Sequence, residues 1–187
     1  MAANIDRPKG LEPAGPLLRV TEYKCVAAYA QDLFIGDPVV AIATGRDINI
    51  ATAGTGNVVL GAIVGITDAN KVPLAYWDSA HSGEGYFLVA DHPEQMFSIQ
   101  GDGDTSYLDE DDCNGNVNLA SGTGSTVYYR SGWEINESDT GGSTAGDQLR
   151  LIRPVDRPDN TIGIANADWL VRINNHQANA GIVGVGV

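Results

Sequence analysis

The 187-residue chain has only two cysteines, Cys25 and Cys113, and only three histidines. The cysteines form no C-x-x-C pair and have no histidine-rich neighbourhood, so neither zinc-ligand spacing nor a disulfide framework is present in the sequence. We therefore expect two reduced, partly buried thiols and a protein without a metal or another cofactor.

Long hydrophobic runs and basic side chains are also scarce. No stretch approaches the roughly 20 apolar residues of a membrane helix, and the opening MAANIDRPKGLEPAGP lacks the apolar core of a signal peptide. Only 11 Lys and Arg stand against 24 Asp and Glu, a formal net charge of −13, and such a surface repels nucleic-acid phosphates. These absences predict a protein made in a cytoplasm that binds neither a membrane nor nucleic acid.

No segment of about 12 residues shows the i, i+3, i+4, i+7 spacing of an amphipathic helix. From Leu18 onward, short apolar runs instead alternate with turn residues such as Gly-Asp-Pro at 36–38 and Asp-His-Pro at 91–93. The glycines of GTGNVVLG at 54–61 indicate a hairpin, and Pro73 indicates an edge strand. The pattern predicts an all-β fold, a small β-barrel or β-sandwich of about 8–10 short strands.

Three segments depart from this strand pattern. Residues 1–17 hold three of the eight prolines and predict an extended N-terminal arm. Residues 101–125 predict a long exposed loop, in which six of the 24 acidic side chains lie between 102 and 112. Residues 178–187 form an apolar C-terminal tail, so the expected β domain spans 18–177.

The acidic loop does not match a calcium-binding EF-hand. Counting from Asp102, the sixth position, which requires glycine, is Tyr107, and the twelfth, which requires glutamate, is Cys113. A looser cation site and a solvated, self-repelling loop are the two remaining interpretations.

The histidines lack the partners of a hydrolytic site. The sequence around His81 contains no G-x-S-x-G elbow, and His92 lies in a turn. His176 follows a strand in which Leu170, Val171 and Ile173 are predicted to be buried with Arg172 on the opposite face. There the polar run 174–177 predicts hydrogen bonding at a strand exit, with His176 as a structural residue. We expect no enzyme activity; a hydrolase using His81 or His176 is the competing hypothesis.

The tryptophans supply a second alternative. Exposed rings on a small β fold bind sugars, and Trp77 and Trp133 are the candidates for a module that binds host glycans. Aromatic side chains at alternate strand positions are more often core or cross-strand partners, which is the competing interpretation for these rings and for Tyr76, Tyr128 and Tyr129.

Several stretches between residues 35 and 177 occur in a familiar order. They read GDPVVAI, TAGTGNVVLGAIVGI, YWDSA, YFLVADHPEQMFSIQGDG, NVNLASGTGSTVYY, LRLIRPVDRPDN and WLVRINNHQ. This order resembles the capsid decoration proteins of tailed bacteriophages, also called cement or head-stabilising proteins. The resemblance implies a β-rich virion protein without catalytic residues that binds the outer surface of the head. A fibre-type phage module that binds host glycans is the alternative.

The resemblance also implies partners. These are the major capsid protein and further copies of the chain itself, with a homotrimer favoured over a dimer. An extended arm suits bridging between neighbouring capsid subunits, because it loses less entropy on docking. We therefore expect residues 1–17 to become ordered on a neighbour, and their deletion to weaken capsid binding but preserve the fold. The predicted contact residues are Pro13, Pro16, Leu17 and Leu18 in the arm and Val185 and Val187 in the tail.

Overall fold

The computed structural model describes residues 4–25, 29–42, 46–104, 106–139 and 144–179. Across these ranges the chain is all-β, as predicted, with three short 3-10 helices and no α-helix. There are more strands than the expected 8–10, because several are only two residues long. The strands are β1 Glu12–Pro13, β2 Val20–Cys25, β3 Leu33–Phe34, β4 Pro38–Ala41, β5 Ile48–Ile50, β6 Gly61–Thr67, β7 Pro73–Leu74, β8 Tyr76–Trp77, β9 Gly85–Ala90, β10 Met96–Gln100, β11 Asn116–Val117, β12 Leu119–Ala120, β13 Glu134–Ile135, β14 Leu149–Pro154 and β15 Asp168–Ile173. The 3-10 helices are Glu110–Asp112, Glu137–Asp139 and Gln177–Asn179.

Two antiparallel sheets contain most of the described strands. The five-stranded sheet has the order β1-β10-β15-β14-β11, and the six-stranded sheet has the order β2-β9-β6-β4-β5, with β7 beside β6. The pairs β3–β8 and β12–β13 form two small additional sheets. The six-stranded sheet curls until the Lys24 amide donates to the Arg46 carbonyl oxygen at 2.7 Å, but the described strands do not close into a barrel.

The six-stranded sheet buries apolar side chains on both faces. One face contributes Ala62 and Ala90 to a core shared with Phe97, Trp169 and other residues of the five-stranded sheet. The opposite face packs a second core that includes Trp77. Alternate residues of a strand point to opposite faces, so the central strands can serve both cores.

The glycine-rich turn at 53–57 does not form the expected hairpin. β5 and β6, on either side of it, both pair with β4 and not with each other. The turn therefore carries the chain over the end of β4. Sequence periodicity could not show this, because the strand that separates the two runs comes earlier in the chain.

The last strand, β15, alternates more strictly than its sequence suggested. Trp169, Val171 and Ile173 are buried, whereas Leu170 is half-buried on the face of Arg172, so its predicted burial in the core is wrong. The paired strand β14 is irregular, because its register with β15 shifts between Leu151 and Arg153. Such a bulge places an extra residue in β14 and leaves β15 regular.

The described residues 4–14 pack against the β domain of the same chain. β1 pairs with β10, Leu11 is fully buried in the shared core, and the side chain of Asn4 exchanges two 2.8 Å hydrogen bonds with the backbone of Thr161. Over the described residues 4–14 the expected separate arm is therefore wrong: this stretch is part of the domain, and its removal would take core and strand contacts away. Proline cannot donate a backbone hydrogen bond but is still found in edge strands. Pro13 lies in such an edge strand, β1.

Residues 101–125 are also more ordered than a single exposed loop. The segment contains a 3-10 helix and the strands β11 and β12, and Leu108, Val117 and Leu119 are buried. Acidic side chains are confined to its first half, where Asp109 caps the 3-10 helix by accepting from the Asp111 amide at 2.8 Å. These three apolar residues of the segment are therefore core residues that fix the loop to the domain.

Candidate interaction surface

An exposed apolar segment connects the edge strands of the two sheets. We call residues 15–20 the N-terminal edge segment; all six are exposed. Leu17 is 53% exposed, Leu18 50% and Val20 38%. Of the four contact residues predicted in the arm, Pro16, Leu17 and Leu18 lie in this segment and Pro13 is half-buried in β1. Val185 and Val187 lie outside the described residues.

Buried polar side chains hold this exposed segment in place. Asp91, only 3% exposed, accepts from Arg19 Nε at 2.7 Å, and its backbone oxygen accepts from Arg19 Nη2 at 2.6 Å. Gln95, 1% exposed, accepts from the Leu18 amide through Oε1 at 3.0 Å and donates through Nε2 to the Met96 carbonyl oxygen at 2.9 Å. Leu17 and Leu18 are therefore exposed on a backbone that hydrogen bonds to Gln95 and Asp91 hold in place.

The Asp91 carboxylate is stabilised as an anion. Burial alone would raise its pKa, but hydrogen bonds from Arg19 and Tyr23 outweigh burial and lower it. Tyr23 donates its hydroxyl to Asp91 Oδ2 at 2.8 Å, and burial, followed by this hydrogen bond, raises the pKa of Tyr23 to about 12. Asp91 therefore stays ionised and Tyr23 stays protonated across neutral pH. The hydrogen bonds that hold Arg19 to Asp91 do not change with pH in that range.

The backbone of β2 beside this segment has one unpaired side. The Lys24 amide points away from β9 towards Arg46, and hydrogen-bonding direction repeats every second residue along a strand. Val20 and Glu22 therefore also direct their backbone groups away from β9, and no described strand pairs with them there. Val20 faces solvent on the same side of the sheet as Leu88, which is 40% exposed.

The tryptophans are not the exposed rings that a glycan module would need. Trp77 is fully buried and Trp133 is 4% exposed, which confirms the interpretation of both as core rings and contradicts the alternative of a glycan module that uses exposed tryptophans. Trp133 nevertheless lines a cleft of about 760 Å³, whose lining also includes Phe34 and Asp32. Of the five aromatic residues considered for sugar binding, the two exposed ones are Tyr128 at 78% and Tyr129 at 45%.

The three histidines have structural surroundings. His176 is 1% exposed, its Nδ1 accepts from the Ala178 amide at 3.0 Å, and burial lowers its pKa. His92 Nδ1 accepts from the Glu94 amide at 3.1 Å. The ring of His81 lies 4.4 Å from that of Trp77. Each of the three rings thus makes a local packing or capping contact.

The polar run after β15 ties the end of the domain to distant loops, as predicted. Asn174 donates to the carbonyl oxygens of Ala145 and Asp147. Gln177 accepts from the Ala41 amide and donates to the Ala41 carbonyl oxygen, both at 2.7 Å. These bonds join the strand exit to β4.

Buried carboxyl groups form a feature that the sequence did not indicate. Burial, followed by the charges of Asp6, Asp102 and Glu137, raises the pKa of Glu134 to about 7. Burial also raises the pKa of Glu137 to about 7, against hydrogen bonds from the Gly103 and Leu108 amides. Among the described residues no group of three or more His, Cys, Asp or Glu side chains is arranged to hold a metal ion. The carboxyl groups come from separate elements, so no local spacing signalled them.

Comparison with protein-family models, with curated proteins and with solved structures found no match to this chain. None of the described helices is long and apolar enough to span a bilayer.

Proposed function

We propose that this protein is a non-enzymatic capsid decoration protein, which binds the major capsid protein on the outer surface of a phage head through the N-terminal edge segment. The observation that carries the proposal is the pair of leucines, Leu17 and Leu18, about half exposed and fixed from beneath by Asp91 and Gln95. The ordered motifs between residues 35 and 177 supply the class of partner.

Anchored apolar side chains suit a permanent contact. Burying one leucine fully contributes about 2 kcal/mol, and an anchored segment loses less conformational entropy on docking than a free one. The unpaired side of β2 at Val20–Glu22 adds backbone hydrogen-bonding groups on which a strand of the capsid protein can dock by β-augmentation. Burial of the leucine side chains and pairing with β2 would thus both contribute to the same contact with the capsid protein.

Weak contacts suffice because the head carries many capsid subunits. Association of the decoration protein with itself, as a homotrimer or alternatively a dimer, places several edge segments on one rigid particle and raises the effective concentration of each. Contacts that exist only in the assembled shell stabilise that shell by mass action. In this proposal the protein opposes head expansion without any chemical step.

The test uses heads stripped of this protein and then incubated with purified variants. We expect Leu17→Asp and Leu18→Asp to lower occupancy on the heads by about tenfold or more, because a charged group is then buried at the contact. The control is Val72→Asp, since Val72 is also 53% exposed but lies between β6 and β7. Decorated heads should release DNA at a higher temperature than bare heads. Wild-type occupancy of Leu17→Asp would disprove the contact, and equal release temperatures would disprove stabilisation.

A further inference from the structure

A second exposed surface lies apart from the N-terminal edge segment, at the tip formed by residues 125–130. The Ser125 amide donates to the Arg130 carbonyl oxygen at 2.8 Å, and Ser125 Oγ accepts from the amides of Val127 and Tyr128. Val127 is 74% exposed and Tyr128 78%. The turn is therefore closed by its own hydrogen bonds while its largest apolar side chains face solvent.

Stacked rings connect this tip to the cleft. Tyr129 stacks on Tyr76 with centroids 5.8 Å apart, and Tyr76 stacks on Phe34 at 5.2 Å with the planes only 5° apart. Phe34 lines the cleft together with Trp133. Tyr129 is held in the left-handed backbone region at φ 55°, an unfavourable conformation for a bulky residue, and the ring stack compensates for that cost. The tip and the cleft form one continuous surface.

The cleft is rich in groups that hydrogen-bond hydroxyls. Its lining includes Gln31, Asp32, Ser121 and Thr123. Asp32 uses one carboxylate oxygen to accept from the Ser79 amide at 2.7 Å. Ser121 and Thr123 are exposed residues, and within the described ranges their hydroxyl groups form no hydrogen bond with the protein. Aromatic rings beside unpaired hydroxyl groups and the second carboxylate oxygen of Asp32 match a ligand with both C–H faces and hydroxyl groups.

We infer that this cleft and tip bind a neutral oligosaccharide. The exposed rings of Tyr128 and Tyr129 would stack on the C–H faces of sugar rings, while Asp32 and the hydroxyl of Thr123 would bond to sugar hydroxyl groups in the cleft. A neutral sugar is favoured over an anionic one because the protein carries a formal charge of −13, and the cleft contains Asp32 and Asp37 but no basic residue among its lining. The site extends beyond one sugar ring, because the cleft and the tip are separated by two successive ring stacks.

The inference does not depend on the proposed capsid contact. The N-terminal edge segment contributes no residue to the cleft lining, so the two activities are separable by mutation. Failure of either leaves the other intact. A decoration protein with such a site would bring a particle to a glycan-coated surface.

The experiment is an array of neutral and anionic oligosaccharides, followed by calorimetry of the strongest neutral ligand with the full chain. We expect binding to neutral members and about tenfold weaker binding for Tyr128→Ala, because the variant loses a stacked ring. Asp32→Asn should weaken binding as well. Tyr107→Ala is the matched control, since Tyr107 is 42% exposed but lies in the acidic loop outside the cleft. Leu17→Asp should bind the glycan at wild-type affinity.

Three outcomes would overturn the inference. They are no binding to any neutral oligosaccharide at millimolar concentration, an affinity unchanged by Tyr128→Ala, and preferential binding of a lysine-rich peptide to the cleft. The last would assign the carboxylates to a cationic protein partner instead. Circular dichroism of each variant verifies that the fold is retained, and Tyr128 tolerates replacement because its side chain is mostly in solvent.

Discussion

Gly10 and Gly36 meet backbone to backbone, and the Leu11 amide donates to the Gly36 carbonyl oxygen at 2.9 Å. A Cβ atom on Gly10 would lie 2.2 Å from that oxygen, and a Cβ atom on Gly36 would lie 2.1 Å from the Lys9 carbonyl oxygen. This approach joins the N-terminal segment to the turn between β3 and β4. Both glycines also have positive φ, at 66° and 96°.

Replacing Gly10 should therefore lower the free energy of unfolding much more than replacing another glycine with positive φ. We expect Gly10→Ala to lower the free energy of unfolding by about 3 kcal/mol or more, because it adds a backbone clash to the left-handed strain. Gly15→Ala is the control: Gly15 has φ 79° but nothing within 4 Å, so only about 1 kcal/mol is expected. Urea denaturation measures both, and equal losses would show that the close approach contributes nothing.

Residues 1–17 should be required for the stability of the fold as well as for binding to the capsid. Leu11 is fully buried in the shared core. We therefore expect Leu11→Ala to lower the free energy of unfolding by about 2–5 kcal/mol. Deletion of residues 1–17 removes both Leu11 and β1 and should lower the melting temperature further. Leu17→Ala, on an exposed residue, should leave the melting temperature almost unchanged. A deletion variant with wild-type stability would contradict this account.

The buried carboxyl groups should make stability fall as pH rises. The pKa of Glu134 and of Glu137 is raised from 4.5 to about 7, and that of Asp37 from 3.8 to about 6 by burial. The folded state then binds more protons than the unfolded state, so this stabilisation is complete below about pH 4 and is lost by about pH 7. Asp6 and Asp102 face Glu134, and their charges strengthen the effect.

Neutralising one of these groups should flatten that pH dependence. We expect Glu134→Gln to raise the melting temperature at pH 8 and to change it little at pH 4.5, with a gain on the order of 1 kcal/mol after allowance for solvent screening. Glu84→Gln, on an exposed carboxylate paired with Lys24 at 3.6 Å, is the control and should show no such contrast. Scanning calorimetry from pH 4 to 8 measures both, and parallel profiles for wild type and Glu134→Gln would refute the prediction.

The two cysteines should react slowly with alkylating reagents in the native protein. Cys25 is 1% exposed, and burial, followed by the charge of Asp47, raises its pKa to about 12. Cys113 is more accessible, but burial and the charges of Glu110 and Asp112 raise its pKa too. Since the thiolate is the reactive species, we expect modification of Cys25 only after unfolding and slow modification of Cys113. Mass spectrometry of iodoacetamide-treated protein resolves the two sites; rapid native labelling of Cys25 would contradict its burial.

The turn chemistry of the sequence predicted much of the fold. Gly36 and Asp37 form the expected turn, in which the Phe34 amide donates to the Asp37 carboxylate at 2.8 Å, and the short apolar runs became strands. Pro73 begins the two-residue edge strand β7. These features depend on local backbone preferences, which a sequence displays directly.

Features that depend on distant contacts could not be predicted in the same way. Leu11 looked like part of a free arm because its partners, Phe97 and others of the shared core, lie far along the chain. Trp77 and Tyr128 both lie among strand-like residues, yet one is buried and the other 78% exposed. The candidate surfaces follow from this long-range arrangement: the sequence indicated Pro16 and Leu17 as contact residues, but gave no sign of Asp91 and Gln95 beneath them.

The position of the N-terminal edge segment between β1 and β2 has a mechanical consequence. These strands are neighbours in the chain but belong to different sheets, so a tensile load applied at Leu17 is divided between the β1–β10 and β2–β9 ladders. Interstrand hydrogen bonds run across the strands, so tension along β2 loads them in shear and many must break together. A partner pulling here would be resisted by both layers of the protein at once.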